Sequence, residues 1–103
     1  MIRALYRMSN IEILGKSNFP KERITQEILE LIHRRLEYIA IETENLTKEL
    51  NNFQSIYHKS NEEFLEDFTT GKIGDEQDFF IWKSSLKILK DLTEEEKMLK
   101  DLL

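Results

Sequence analysis

The sequence predicts an all-α chain: an elongated helical hairpin in which one long, coiled-coil-like helix precedes two or three shorter ones. Three observations carry that prediction. Only three Gly and one Pro occur in 103 residues, while helix-favouring Leu, Glu and Lys are abundant. From residue 21 to 58 neither Gly nor Pro appears, and apolar side chains recur at alternating spacings of three and four. Beyond that stretch, helix-start and helix-stop residues punctuate the chain at short intervals.

Residues 1–20 read as an N-terminal arm, and 21–103 as the helical hairpin domain. In the arm, Ile11-Glu12-Ile13 alternates as a short strand does, and Gly15-Lys16-Ser17-Asn18 reads as a loop. Ile2, Leu5 and Tyr6 fit one helical face equally well. Pro20 suits a first helical turn, where its missing N–H costs nothing. The long helix follows, with a seam of Leu29, Ile32, Leu36, Ile39, Thr43, Leu46, Leu50, Phe53 and Tyr57. This 3.5-residue repeat lasts four heptads, and only Thr43 interrupts its apolar run. Ile24, Ile28 and Leu31 widen the apolar face at its start. A helix of this length runs roughly 57 Å, against a radius of gyration of about 13 Å for a compact chain of this size. The seam therefore has to be covered by a hairpin return, by a second copy in a homodimer, or by both.

Ser60-Asn61-Glu62-Glu63 is a capping box, in which the Ser60 hydroxyl accepts from the Glu63 N–H and the carboxylate returns to the Ser60 N–H. Phe64, Leu65 and Phe68 give the short helix a buried face, and Gly71 ends it in a left-handed conformation. Gly74-Asp75 opens the next helix, with Asp75 as N-cap and Glu76 and Asp78 beside the positive end of the dipole. Phe79, Phe80, Trp82, Leu86, Leu89 and Leu92 supply its apolar face. Thr93-Glu94-Glu95-Glu96 repeats the capping pattern, and either starts a last helix or decorates a continuous one. Seven of the ten aromatics fall between residues 53 and 82, which places the stability centre around Trp82.

Composition excludes several function classes. The absence of Cys rules out a disulfide scaffold, a thiol nucleophile and a thiolate zinc site. No apolar run approaches the roughly 20 residues of a membrane helix, and the first residues lack a signal peptide's apolar core. A cytoplasmic protein is the simplest expectation. Net charge is −5 but unevenly spread. Residues 1–36 hold seven basic and four acidic groups, a balance of +3; the remainder holds eight Lys and sixteen acids, a balance of −8. All five Arg lie in the first third.

No catalytic constellation emerges, and neither a cofactor nor a metal is expected. Glu30-Leu31-Ile32-His33 matches the Glu-x-x-His spacing of di-iron helical proteins, but it occurs once, and the seam turns Glu30 away. Asp75, Glu76 and Asp78 lack the spaced ligands of a calcium loop. His58 and Lys59 suit a helix C-terminus, where cations are favoured. Phosphate loops, nucleophile elbows and dinucleotide turns are missing.

Tyr57, Ser60-x-x-Glu63-Phe64, Phe68, Gly71, Gly74-Asp75, Asp78, Phe80 and Trp82 together resemble small helical antitoxin-like proteins of prokaryotic two-gene modules. The resemblance covers residues 50–92. It implies a long helix before an aromatic-rich hairpin, and a protein partner of toxin type. Residues 1–20 make a poor ribbon-helix-helix strand, and no clear helix-turn-helix follows. The expected function is a non-enzymatic, self-associating interaction module. Glu62, Glu63, Glu66, Asp67, Asp75 and Asp78 are its expected partner-binding carboxylates, set against a basic surface. Two alternatives stand beside it. One is a nucleic-acid-binding accessory protein using Arg3, Arg7, Arg23, Arg34 and Arg35; the other is a purely structural coiled-coil oligomer.

Overall fold

A computed structural model describes residues 21–103. The arm at 1–20, with Arg3 and Arg7, lies outside the described residues. The described residues are all-α, with a long helix α1 (Lys21–Tyr57) followed by two shorter ones, α2 (Asn61–Thr69) and α3 (Gln77–Asp101). None of the described helices is long and apolar enough to cross a membrane.

Local chemistry explains most of the boundaries. α1 stops where His58 turns to φ 53°, the left-handed region, and the Lys59 N–H reaches back to the Gln54 carbonyl at 3.3 Å. This backbone reversal normally falls to Gly, so His58 occupies it at a conformational cost. At the start of α2, the Glu63 N–H donates to Ser60 Oγ at 3.1 Å. The return bond corrects the expected capping box: Ser60 Oγ itself donates to Glu63 Oε1 at 3.2 Å. α2 ends in a Schellman motif, with Gly71 at φ +75°, Gly71 N–H on the Phe68 carbonyl and Lys72 N–H on that of Asp67.

His58→Gly and Gly71→Ala therefore have opposite expected signs. The first relieves a left-handed non-glycine residue and stabilises by about 0.5–1 kcal/mol; the second imposes one and costs about 1 kcal/mol. No heavy atom lies within 4 Å of a Cβ added at Gly71, so strain of the backbone alone is measured there. Urea unfolding of both variants checks the pair.

α3 corrects one expectation and decides between two others. Its ladder starts one residue later than expected: the Glu76 carbonyl receives the N–H groups of Phe79 at 3.0 Å and Phe80 at 3.4 Å. Asp75 therefore stands one position too far out to be the N-cap. Of the two readings of the second capping pattern, the continuous helix is the one found. α3 runs unbroken through Thr93, whose hydroxyl donates back to the Leu89 carbonyl at 2.8 Å, a bond compatible with helix interior.

Contacts divide the described residues into two compact units, one made of residues 21–40 with Glu94–Leu103, the other of Ile41–Thr93. The second unit holds the aromatic core. Leu50, Phe53, Phe64 and Trp82 are its buried centre, with Tyr57, Phe68, Phe79 and Leu89 among the side chains packed around them. Trp82 lies between two rings, that of Phe64 at 4.0 Å and nearly parallel, and that of Phe53 at 5.5 Å. A polar relay fastens the corner behind it. Gln54 Oε1 accepts from the Asn61 N–H at 3.1 Å, and Asn61 Oδ1 accepts from Trp82 Nε1 at 2.9 Å. In the first unit Ile32 and Ile39 are buried, and Arg35 clasps Glu95 through bonds of 2.6 and 2.9 Å.

The heptad seam is turned inward within one chain. Ile32, Ile39, Leu46, Leu50 and Phe53 are buried, and Leu29, Leu36, Thr43 and Tyr57 are half-buried. Its period is that of a coiled coil, and its cover is intramolecular. Trp82, Ser85 and Leu92 on α3 are buried as well.

Candidate functional site

Several of the residue types that could do chemistry are engaged with one another. Asp67 pairs with Lys59, which holds its carboxyl below the usual carboxylate range. Glu95 is held low in the same way by its hydrogen bonds from Arg35, whose own pKa they raise. Asp78 accepts the Tyr57 phenol at 2.6 Å. That bond and the carboxylate's charge push the phenol up to about 12.

The Tyr57 pair has a readable consequence. A raised folded-state pKa means that the pair's contribution is fully present below the ordinary tyrosine value of about 10. It is lost as pH rises through about 12. Alkaline titration of phenolate absorbance should show one late step near that pH. Tyr57→Phe should remove that step alone; an unchanged profile would contradict the bond.

Of the six carboxylates expected to bind a partner, three thus serve the fold: Glu63 in a cap, Asp67 in an ion pair and Asp78 on Tyr57. Glu62 and Glu66 are exposed on α2. Asp75 borders a concave surface. The described arginines are likewise placed beside carboxylates. Arg35 is bidentate to Glu95, Arg23 pairs with Glu27 at 3.6 Å, and Arg34 lines a shallow depression with Glu27, Glu30 and Leu31. His33 and Glu30 are both exposed on α1. Among the described residues, no group of three or more His, Asp or Glu is placed to share a metal ion.

The concave surface lies within the second unit. It is an open groove of about 620 Å³, bounded by Leu46 and Glu49 of α1, Asp75 before α3, and a row along α3. That row is Gln77, Ile81, Ser84 and Ile88, spaced four, three and four, with Phe80 and Ser85 at its sides. Helical geometry builds it directly. The inner face of α3 carries Trp82, Ser85, Leu89 and Leu92 toward the core, and the adjoining face carries Ile81 and Ile88 at its edge. Ser85 is buried, and its small side chain leaves the floor low between the flanking isoleucines.

The groove is apolar and solvent-facing. Phe80 is 51% exposed, Ile88 47% and Ile81 38%, although Phe80 also meets the Phe68 ring edge-on at 5.6 Å. Phe80 thus belongs to the apolar face but stands half-exposed at its edge. Both charged residues bounding the groove, Glu49 and Asp75, are acidic. Two of the five α3 lysines are held away from it: Lys83 over the Phe68 ring at 5.0 Å and Lys87 against Asp91 at 3.4 Å.

No family model matches this chain, and neither a curated protein nor a solved structure does. What the groove offers chemically is apolar area with a carboxylate rim, the composition of a docking surface. Sequence reasoning missed Ile81 and Ile88. The signal was their heptad spacing, one position out of phase with the inner row.

Proposed function

We propose that the protein is a non-enzymatic helical module that binds another protein through the α1–α3 groove of its second unit. The carrying observation is the exposed apolar row Phe80, Ile81 and Ile88 beside an acidic rim. Solvated apolar side chains gathered in a concavity above a rigid aromatic core are what a partner would cover. An antitoxin-like role, masking a basic face of a small toxin, is the sharpest form of this reading. The acidic balance of residues 37–103 and the resemblance over 50–92 support it. Action in the cytoplasm, without cofactor or metal, belongs to the same proposal. Self-association belongs to the same proposal, through faces other than the side chains buried along the seam.

Co-expression with the product of the neighbouring reading frame tests it. The tagged chain should retain that product, and the Ile81→Glu/Ile88→Glu variant, equally folded by circular dichroism, should lose it. Retention by both, or by neither, counts against the groove.

A further inference from the structure

The shape and charge of the groove narrow the class of partner. We propose that it receives one amphipathic α-helix from another protein, with Lys or Arg flanking its apolar stripe. This rests on the interaction-module reading and specifies what the module takes.

Three features carry it. The α3 row Gln77, Ile81, Ser84 and Ile88 follows the four–three spacing that one helix presents to another. It spans eleven residue steps, roughly 16 Å at 1.5 Å per residue, which is the length of about three helical turns. Ser84 and Ser85 sit at its centre, small enough to admit a large side chain between Ile81 and Ile88. The incoming helix would be the third member beside α1 and α3, laying anchors spaced i, i+3 or i+4, and i+7 along the floor.

Charge selects which helix. Glu49 lies on the α1 side and Asp75 beside the start of α3, so the apolar floor has a carboxylate at two separate edges. Glu42 continues the acidic row of α1 one heptad before Glu49. A basic helix meets these with opposite sign; an acidic one meets like charge on desolvation. Residues 37–103 of a second copy, with eight Lys against sixteen acids, would be a poorer occupant, and the +3 balance of residues 1–36 is why the test reads the oligomeric state as well.

The test uses three fluorescein-labelled synthetic peptides of about 14 residues. The first has Leu at i, i+3, i+4 and i+7 with Lys on both flanks. The second has Glu in place of Lys, and the third Ser in place of Leu. Fluorescence anisotropy with the full chain should show binding of the first, at least about tenfold weaker binding of the second, and none of the third. Raising salt should weaken the first. Ile88→Glu should abolish binding, and Glu49→Lys/Asp75→Lys should invert the preference between the first two. Both substitutions lie at the open groove, and retained helicity certifies the fold.

Equal affinity for the Lys and Glu peptides overturns the proposal. So does absence of peptide binding together with a dimer that Ile88→Glu dissociates; a second copy would then fill the groove, and the interaction-module reading would survive. Absence of both peptide binding and any groove-dependent association overturns the proposal and the groove reading together.

Discussion

Trp82→Ala is expected to cost about 3–5 kcal/mol, a large part of the 5–15 kcal/mol typical of small domains. Trp82 is 0% exposed, and its ring lies between those of Phe64 of α2 and Phe53 of α1. Those two rings belong to different helices, so they cannot close the space without moving a backbone, and a cavity remains. The substitution also strips Asn61 Oδ1 of its donor at 2.9 Å, adding an unmet acceptor beside the cavity. Trp82→Phe keeps a ring in the stack and loses only the N–H and part of the volume, at about 1–2 kcal/mol. Urea unfolding followed by circular dichroism should order the two variants clearly, with the alanine midpoint falling by roughly 2 M or more. Equal losses would mean that the stack is not the centre of stability.

Leu50→Glu is expected to unfold the chain at every protein concentration. Leu50 is 2% exposed and belongs to the same buried cluster as Phe53, Phe64 and Trp82. A carboxylate there would meet aromatic carbon, at a cost beyond about 4 kcal/mol. Leu46→Glu should be milder, because Leu46 borders the open groove and a carboxylate there can reach water. A seam that joined two copies would behave otherwise: Leu50→Glu would then yield a folded monomer. Far-UV circular dichroism over a concentration series separates these outcomes.

The fold was legible where one residue type at one spacing has one physical meaning. The run from Leu29 to Tyr57 marked the inward face of α1, Ser60 and Glu63 marked the start of α2, and Gly71 marked its end. Asp75 misled because Gly74-Asp75-Glu76 offers two acidic caps in succession, and only the backbone ladder shows which one is used. Thr93 left two readings open because its hydroxyl serves a cap or the interior of a helix; its bond to the Leu89 carbonyl decides for the interior. Arg35 and Glu95 stand sixty residues apart, beyond any local pattern, so Arg35 read as a phosphate ligand. The groove was hidden for a related reason. Periodicity shows that α3 has an apolar face, but only packing decides that Trp82 turns inward while Ile81 and Ile88 stay at the edge.

The central claim is that the seam is closed within the chain while the apolar row of α3 stays open to solvent. Methyl NMR of the Ile- and Leu-labelled protein with a soluble paramagnetic agent tests both halves together. Strong broadening of the Ile81 and Ile88 methyls and protection of those of Ile39 and Leu50 are expected. Broadened Ile39 and Leu50 methyls, or protected Ile81 and Ile88 methyls, would contradict it.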